Sequence, residues 1–595
     1  MEIPSDPAEI AALADAKRKH GDVLEAFDVV SRAEHDGIRS SELDYLLVFL
    51  LTELGDFDGA LANYFKLGLN RSSDLKSRAL EGRIRKDLAF LKAGDARRQG
   101  LADAAEVYRA AYLATGDPYP GINAASLLYL SGQEEKGQQI ARAIAAHPAS
   151  KAAANYWDLV TAVESQLLLG DEAAIDTLLE EHRPDASVAL ADRASTIRQF
   201  MRLREAPAIS NALIDRIAKA LRPPPVLVYC GRMFREGCDE EVALRARIDA
   251  KLDEIGACIS YGPLACGADI LIAEAVLERG GEINLVLPFL MEDFIEHSVL
   301  PGGASWISRF HACRARADEV ILATECNYVG DDNQFAYGTR VAMGLAEIRA
   351  RQLETTATQL AVLRDDAADL PRSQIAGTNA DIAMWAALGR TTHVVPAGPV
   401  ERNLEFPGIA AYAEGLERGA YSILFADYAG FSKLGERELP IFARKVMGPI
   451  GEVLDEFGED ILFRNTWGDA LYAVISRPTV AARVALALQR RLAVPPPELG
   501  CAEDGVGMRI GVHHGPIYKG TDLVVGQPLW FGTEVTRTAR IEPVTPTGTV
   551  YCTEAFAAML ALDGADEFTH HYVGRVALAK GYGQLAMYRL VRIRD

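Results

Sequence analysis

The sequence contains few cysteines, and none of them forms a CxxC pair. The absence of paired spacing argues against a zinc site or a disulfide framework. Most of the thiols stand in apolar, strand-like runs, so we expect reduced core cysteines in a cytoplasmic protein. The eight positions are Cys230, Cys238, Cys258, Cys266, Cys313, Cys326, Cys501 and Cys552.

Long apolar runs and an excess of basic charge are missing as well. The N-terminal stretch Met1-Glu-Ile-Pro-Ser-Asp6 is acidic and lacks the apolar core of a signal peptide. The apolar stretch from Tyr45 to Leu51 is far shorter than the ~18 residues that a membrane span requires. Lys and Arg number 62 against 83 Asp and Glu, which gives a net charge of −21. Such a surface excludes general binding to nucleic acid or anionic membranes but allows a local basic pocket for a phosphate.

The remaining composition is that of a globular protein. Apolar residues make up 49% and charged residues 24% of 595 residues, a length that suggests about three to five domains. Changes of pattern along the chain predict a helical region over 1–215 and an α/β region over 223–396. A linker with Pro and Gly follows over 397–418, and an α+β region of ferredoxin-like fold covers 419–595.

Short Gly-Asp turns punctuate the helical region. Gly21-Asp22 and Gly55-Asp56 stand 34 residues apart, and further pairs begin at Gly94, Gly116 and Gly170. Glycine can end one helix in the left-handed conformation while aspartate caps the next helix. A period near 34 is typical of a tetratricopeptide-like α-solenoid. The segment that starts at Gly116 also resembles the TRAF-binding region of certain kinase-kinase-kinases. A protein- or peptide-binding array and a plain scaffold both remain open.

The central region alternates apolar strands with helices, which predicts a doubly wound parallel sheet. The loop from Tyr261 to Asp269 is rich in glycine and leads into a helix over 270–279. Glycines between a strand end and a helix N-terminus can hold a phosphate or a nucleotide. Strands are predicted over 226–230, 257–261, 283–288, 319–324, 360–364 and 392–395.

This region resembles the Rossmann-like SLOG superfamily. The resemblance lies in Cys230-Gly231-Arg232, in the loop and helix from Gly262 to Glu274, and in Leu287-Pro288-Phe289. It implies a regulatory site for a nucleotide-like ligand, with Arg232 on its phosphate; a purely structural domain is the alternative. Hydrolase activity is not expected, because Pro301-Gly-Gly continues with Ala-Ser-Trp instead of the phosphoribohydrolase motif. The implied site residues are Gly231, Arg232, Gly262, Gly267, Asp269 and Glu274.

The C-terminal region carries two acidic residues at strand ends. Asp427 follows the apolar strand that begins at Ser422, and Asp469 lies in the turn of a hairpin that begins at Ile461. Two such carboxylates on neighbouring strands can hold two hard divalent ions. Farther on, a helix predicted over 532–541 would present Thr536 and Arg540 on one face. Metal ions together with an arginine can stabilise charge at phosphorus.

These residues fall in motifs that resemble the catalytic domain of class III adenylate/guanylate cyclases. The motifs are Phe425-Ala-Asp-Tyr-Ala-Gly-Phe431, Thr466-Trp-Gly-Asp469, Arg509-Ile-Gly-Val-His-His-Gly515, Phe531-Gly532 with Val535-Thr-Arg-Thr-Ala-Arg540, and Lys580-Gly581. The resemblance implies that Asp427 and Asp469 bind two Mg²⁺ or Mn²⁺ ions and that Arg540 stabilises the transition state.

The same resemblance implies further contacts and an assembly. The backbone of Tyr428, Ala429, Gly430 and Phe431 would hold the β- and γ-phosphates, and Lys580 would contact the triphosphate. In the family the metals and the arginine come from opposite protomers, which implies a head-to-tail homodimer. His513 and His514 are expected to pack in the sheet rather than to act as bases.

The sequence departs from the family at the residues that handle the sugar and the base. Thr536 replaces the ribose-orienting asparagine, and Tyr582 stands where a second basic residue is common. Asn465 occupies the adenine-selecting lysine position and Leu529 its partner position, so neither the adenine pair nor the guanine Glu/Cys pair is present. Family frequency favours ATP, while UTP, CTP and GTP stay open because an amide can pair with several bases.

The sequence thus predicts a cytoplasmic nucleotidyl cyclase that releases a cyclic mononucleotide and pyrophosphate under control of its N-terminal regions. A cyclase for a pyrimidine nucleotide in defence signalling is one alternative. A nucleotide-sensing scaffold with a degenerate cyclase domain used for dimerisation is another.

Overall fold

The computed structural model describes residues 4–72, 74–182, 187–363, 376–398, 404, 416–499, 507–564 and 567–593. Two compact units make up the chain. The first unit comprises Met1–Pro223 with Gln352–Thr355, and the second comprises Pro224–Arg351 with Thr356–Asp595. None of the helices in the described ranges combines the length and the apolar character needed to cross a bilayer. The predicted linker lies largely outside the described residues, as does Cys501.

The first unit is helical throughout its described residues. Its helices are α1 (Pro7–His20), α2 (Val23–His35), α3 (Ser41–Glu53), α4 (Phe57–Lys66), α5 (Leu75–Phe90), α6 (Gly94–Thr115), α7 (Pro118–Leu130), α8 (Glu134–Ala145), α9 (Pro148–Ala152), α10 (Tyr156–Leu169), α11 (Glu172–Glu181), α12 (Leu190–Leu203) and α13 (Asn211–Leu221). Most consecutive helices pack together, and α1 also contacts α12.

Most Gly-Asp turns act as the pattern predicts. Gly116 and Gly170 end α6 and α10 in the left-handed conformation, which glycine adopts without steric cost. Asp117 and Asp171 then accept hydrogen bonds from backbone N–H groups of the next helix. Gly94 differs, because it is the first residue of α6 rather than the end of a helix.

The N-terminal part of the second unit contains a six-stranded parallel sheet in the order β4-β3-β2-β1-β5-β6. Every residue from Val226 to Cys230 in β1 is buried, so both faces of the sheet are covered. Its elements are β1 (Val226–Gly231), α14 (Glu241–Ile255), β2 (Ile259–Gly262), α15 (Ala268–Glu278), β3 (Glu282–Leu287), α16 (Met291–Phe294), α17 (Ala304–Ala315), β4 (Glu319–Leu322), α18 (Asn333–Gln352), β5 (Ala357–Leu363), α19 (Thr378–Ala387) and β6 (Thr392–Pro396).

The C-terminal part contains a second, mixed sheet in the order β13-β14-β12-β10-β7-β9-β8, with β11 paired to β10. All of its pairs are antiparallel except β10 with β12. Its elements are β7 (Glu417–Tyr428), α20 (Leu439–Phe442), α21 (Gly448–Glu456), β8 (Ile461–Trp467), β9 (Ala470–Ile475), α22 (Pro478–Arg491), β10 (Met508–Thr521), β11 (Pro528–Phe531), α23 (Thr533–Thr538), β12 (Val550–Thr553), α24 (Glu554–Leu562), β13 (Phe568–Ala577) and β14 (Gln584–Arg592).

The α-helical segment after Asp427 starts at Leu439 and is interrupted by a π-helical turn at Ala443–Met447. One predicted helix of this part differs from the structure. The helix expected over 532–541 ends at Thr538, because a turn and the 3₁₀ segment Glu542–Val544 follow it. Pro543 has no backbone N–H to donate, so it cannot continue an α-helix at this point.

Candidate active site

The register of three neighbouring strands brings Asp427 and Asp469 to the same end of the second sheet. In the pairing of β7 with β9, Ala426 lies opposite Leu471, two residues beyond Asp469. Gly468, at the tip of the β8–β9 hairpin, has a φ of 66°, a value that glycine tolerates best. On the other side of β7, Arg509 of β10 lies opposite Asp427.

The two carboxyl groups interact strongly. Burial, together with a hydrogen bond to Asp427 and the charge of Asp427, raises the pKa of Asp469 to about 7. Two carboxylates this close repel each other unless a proton or a cation neutralises them. Oxygen donors in such a pair are the ligands that Mg²⁺ and Mn²⁺ prefer, so the residues present fit the divalent ions.

Two residues that sequence reasoning did not select complete this cluster. Arg509 pairs with Asp427, and its Nε atom lies 3.0 Å from Oε1 of Glu542. Burial raises the pKa of Glu542 to about 7, while Arg509 opposes the rise. The strand pairing of Arg509 with Asp427 could have indicated the arginine, but nothing in the sequence pattern marks Glu542.

The segment after Asp427 turns away from the strand. Gly430 has a φ of 92° and precedes the 3₁₀ turn Phe431–Lys433. The side chains of Tyr428 and Phe431 both pack against Phe442, with ring centroids 5.5 and 4.8 Å apart. Because these rings face inward, the backbone from Tyr428 to Phe431, including Ala429, is the part that can face a ligand.

Asn465 and Leu529 lie on different strands that Tyr472 connects. Tyr472 is the strand partner of Asn465, and its hydroxyl donates a 3.0 Å hydrogen bond to the carbonyl of Trp530, next to Leu529. The Asn465 side chain is exposed, and its Oδ1 accepts a hydrogen bond from the N–H of Thr466. Tyr472 thus links the strands that carry the two residues, one with an exposed amide and the other with an apolar side chain.

Thr536 and Arg540 do not share one helix. Thr536 is exposed in α23, whereas Arg540 follows the helix in a turn that its N–H closes by bonding to the carbonyl of Arg537 at 3.0 Å. Among the described residues, neither side chain forms a hydrogen bond or an ion pair with Asp427 or Asp469. The structure of one chain thus brings the two aspartates together but leaves Thr536 and Arg540 without a contact to them.

Lys580 occupies the tip of the β13–β14 hairpin. Its side chain is exposed, and its φ of 62° is a strained value for a residue with a side chain. Tyr582 and the glycines at 581 and 583 complete the tip. The hairpin therefore presents the ammonium group to solvent.

His513 and His514 are buried in β10, as expected. His513 Nδ1 lies 2.7 Å from the hydroxyl of Thr553, and its Nε2 lies 2.8 Å from Glu534. His514 Nδ1 lies 3.0 Å from the hydroxyl of Ser422. Burial lowers the pKa of both imidazoles. Their contacts are internal, which fits a packing role.

In the six-stranded sheet, the glycine-rich residues gather at the carboxyl ends of β1 and β2. The chain order reverses between β1 and β5, and ligands of open α/β sheets bind at such a point. The carbonyl of Arg232 accepts a 3.0 Å hydrogen bond from the N–H of Ala268. A side chain at Gly231 would meet the Cβ of Ala268 at 2.4 Å, and Gly267 has a φ of 97°. The two loops are thus in close contact.

The polar residues of this predicted site have different surroundings. Asp269 is buried, its Oδ2 accepts from the N–H of Ala265, and burial raises its pKa well above the ordinary range. Glu274 instead pairs with Arg309 at 2.6 Å, in a network that includes Arg245. The structure brings Gly231, Arg232, Gly267 and Asp269 together, and it places Gly262 under the Tyr229 ring and Glu274 in a surface ion pair.

Comparison with protein families supports two parts of this description. Residues 416–592 match the family model described as the adenylate and guanylate cyclase catalytic domain. The C-terminal region is therefore a cyclase catalytic domain. Residues 16–128 match the family model described as Tetratricopeptide Repeats-Sensor, so the N-terminal region is tetratricopeptide-like. A search of curated proteins finds no match.

Several solved cyclase structures are similar to the chain. The guanylate cyclase domain of RhGC from Catenaria anguillulae, in complex with GTP, is 19% identical over 30% of this chain and 97% of its own, with a TM-score of 0.25. The adenylyl cyclase CyaB from P. aeruginosa is 14% identical over 30% and 95%, with a TM-score of 0.25. A dimeric guanylyl cyclase domain of RhoGC from Blastocladiella emersonii is 16% identical over 30% and 99%, with a TM-score of 0.24.

Proposed function

We propose that the protein is a nucleotidyl cyclase that converts a nucleoside triphosphate, ATP first, into a 3′,5′-cyclic mononucleotide and pyrophosphate. The observation that carries the proposal is the convergence of Asp427 and Asp469 within a region that matches the cyclase catalytic domain. The expected cytoplasmic location belongs to the same proposal.

Asp427 and Asp469 are the residues that would hold two Mg²⁺ or Mn²⁺ ions. When bound, such ions lower the pKa of the ribose 3′-hydroxyl and neutralise the triphosphate. The chain's own part is to supply two carboxylates that are already adjacent. Arg509 pairs with Asp427, so its charge offsets part of the repulsion between the two carboxylates.

The remaining residues position the substrate and stabilise charge. The backbone of residues 428–431 cradles the β- and γ-phosphates, and Lys580 reaches the triphosphate from its exposed hairpin tip. Arg540 neutralises the charge that builds on the α-phosphate while the 3′-oxygen attacks in line. Thr536 orients the ribose through its hydroxyl. Arg540 has no ion pair among the described residues, which supports its availability for a phosphate.

A second copy of the chain would complete the site. Three large apolar side chains of the cyclase region are almost fully exposed, namely Trp467, Leu523 and Val524 at 90%, 96% and 93%. Exposed apolar groups of this size favour a protein partner. Trp467 is two residues from Asp469, so a partner that covers it also approaches the metal site. A head-to-tail homodimer would then supply Arg540 and Thr536 in trans.

The base is the least constrained part of the substrate. The exposed amide of Asn465 can donate and accept hydrogen bonds, and Leu529 offers no polar group. This combination supports pyrimidine nucleotides as a second candidate, with defence signalling as their context. A degenerate cyclase on a nucleotide-sensing scaffold is the remaining alternative, and the intact set of Asp427, Asp469 and Arg540 argues against it.

The regulatory regions complete the proposal. The SLOG-like region would bind a nucleotide-like ligand at the loops around Gly231 and Gly267, and the tetratricopeptide-like region would bind a protein or peptide. A sensor of this kind acts only if its ligand favours one cyclase arrangement over another.

The test is an activity assay on the full chain. The protein is incubated with Mn²⁺ and, separately, with ATP, GTP, CTP and UTP, and the products are identified by mass spectrometry. We expect one cyclic mononucleotide to accumulate with pyrophosphate. Asp427→Asn serves as the inactive control. Absence of any cyclic product from all four substrates would contradict the proposal and favour the degenerate scaffold.

A further inference from the structure

The helix α23 carries Thr536 and precedes Arg540. On one side of this helix, two charged side chains are buried. Glu534 is fully buried and Arg537 nearly so, and their charged atoms lie 3.3 Å apart. Glu534 also lies 2.8 Å from Nε2 of His513. Although burial raises the pKa of Glu534, the hydrogen bond from His513 and the charge of Arg537 lower it below the ordinary value. The helix is thus anchored to β10 by an ionised carboxylate.

The same side of α23 also contacts a loop that follows strand β4 of the six-stranded sheet. Residues 323–332, the loop after β4, are here called the β4 loop. Glu325 of this loop lies 3.2 Å from Arg537, and the Sγ atom of Cys326 lies 2.8 Å from the hydroxyl of Thr533. The contacting residues are more than 200 positions apart in the sequence. The β4 loop therefore touches the first and the last turn of α23.

The β4 loop is itself held firmly by the sheet that carries it. The carbonyl of Cys326 accepts a 3.0 Å hydrogen bond from the N–H of Leu290. The N–H of Tyr328 donates to Asp293 at 2.6 Å, and the Tyr328 ring stacks on Phe289 at 4.8 Å. A loop with this many fixed groups can hold a neighbouring helix in one position.

Further contacts join the same two sheets beside α23. The Tyr337 hydroxyl donates a 2.6 Å hydrogen bond to the carbonyl of His514. Gly344 of α18 approaches α24 so closely that a Cβ there would lie 2.2 Å from the carbonyl oxygen of Ala558. Both sheets belong to one compact unit. The β4 loop is consequently fixed relative to β10 as well as to its own sheet.

We propose that Glu325 is a positioning residue for the cyclase reaction, and that the β4 loop holds α23 so that Thr536 and Arg540 reach the nucleotide. The inference rests on the proposed function. Glu325 acts through Arg537, because the guanidinium is shared between Glu325 of the β4 loop and Glu534 of α23. Without Glu325, the one carboxylate among the described residues that still pairs with Arg537 is Glu534, which also contacts His513. The end of the helix that leads to Arg540 then loses this ion pair with the β4 loop.

The test compares two substitutions, each of which replaces the glutamate of an ion pair with the neutral glutamine. Glu325→Gln removes the charge that faces Arg537. Glu319→Gln is the matched control, because Glu319 also joins the two sheets through a 2.7 Å ion pair, with Arg575, but does not touch α23. For Glu325→Gln we expect kcat to fall roughly ten-fold with little change in KM, since a small displacement of Arg540 weakens transition-state contacts most. Glu325→Asp should recover part of the loss, and Glu319→Gln should stay within about two-fold of wild type.

Two further measurements separate positioning from general destabilisation. The thermal unfolding midpoint of Glu325→Gln should lie close to that of Glu319→Gln, because each substitution removes one partly exposed ion pair. Hydrogen exchange should become faster in peptides covering 533–541 and stay unchanged in β9. An unchanged kcat in Glu325→Gln, or equal losses in Glu325→Gln and Glu319→Gln, would overturn the inference. A wild-type protein inactive on all four nucleotides would refute the proposed function instead, while exchange at 533–541 would still decide whether Glu325 positions the helix.

Discussion

Two pairs of carboxyl groups lie beside the two sheets of the second unit, and their surroundings differ. Asp269 in α15 and Asp381 in α19, two helices that pack against the parallel sheet, are only 4% and 7% exposed. Asp427 and Asp469 in the mixed sheet are partly accessible. The first pair interacts with the buried thiol of Cys230, whereas the second has a guanidinium beside it.

The two pairs differ in access and in neighbours rather than in pKa alone. Burial raises the pKa of Asp269 well above its ordinary value and that of Asp381 to about 7, and burial together with Asp427 raises the pKa of Asp469 to about 7 as well. The first pair is almost fully buried, whereas Asp427 and Asp469 are partly accessible and Arg509 pairs with Asp427. This contrast supports the proposal that cations bind at the mixed sheet.

The largest effect is expected at the open pair. Asp427→Asn or Asp469→Asn should lower the rate of cyclisation at least about 100-fold, because each substitution removes charge from the two-ion site while preserving its shape. Stability should change little or increase, since repulsion between the carboxylates is relieved. Steady-state rates with Mn²⁺ and thermal unfolding of the same samples check both parts. Near-normal turnover in either variant would refute the metal role.

For the buried pair, Asp269 and Asp381, we expect substitution to change stability and to leave the cyclisation rate nearly unchanged. Asp381→Asn should leave the cyclisation rate within about two-fold of wild type, because Asp381 lies in α19, which packs on the parallel sheet. Its effect should be on stability and should depend on pH. Urea unfolding between pH 5 and pH 8 measures this effect, with Asp253→Asn, at an exposed ion pair with Arg279, as the control.

The sign of the pH effect follows from the raised pKa of Asp381. Above its ordinary value of 3.8 the unfolded carboxyl is ionised, while the native one keeps its proton up to pH about 7. The native state binds more protons in this window, so the free energy of unfolding falls as pH rises through it. Asparagine is neutral throughout, and the variant should gain about 1 to 3 kcal/mol relative to wild type from pH 5 to pH 8. A constant difference across this range would show that Asp381 is ionised in the native protein.

The smallest effect is expected at Thr536. Thr536→Asn should raise kcat a few-fold, because the amide restores the ribose-orienting group of the family, and Thr536→Ala should lower it by a similar factor. Measurement of kcat and KM for both variants checks this pair. Equal rates for threonine, asparagine and alanine would show that the side chain does not contact the ribose.

The sequence predicts strands better than helix ends. All six strands predicted in the parallel sheet are present within three residues of the predicted starts, because continuous apolar runs mark buried strands clearly. The helix around Arg540 was predicted too long, since neither the turn after Thr538 nor the 3₁₀ segment at Glu542 has a strong pattern. Helix ends depend on local caps and on tertiary contacts such as that of Arg537 with Glu325.

The candidate site was predicted in part. The motifs around Asp427 and Asp469 indicated both carboxyls. Arg509 opens another of the motifs but was given no role there, and Glu542, which no motif includes, joins the cluster through chain folding. Glu274 was assigned to the ligand loop by its motif, although the structure pairs it with Arg309. The contact of the β4 loop with α23 links residues more than 200 positions apart, so it could be found only in three dimensions.

The central claim is that Asp427 and Asp469 of one chain act with Arg540 of another. Asp427→Asn and Arg540→Ala should each be nearly inactive alone, and mixing them tests the claim most directly. With random exchange, half of the dimers are mixed and each has one intact site of two, so the mixture should recover roughly a quarter of wild-type activity. Native mass spectrometry confirms the exchange. A mixture that exchanges subunits but stays inactive would contradict the shared site.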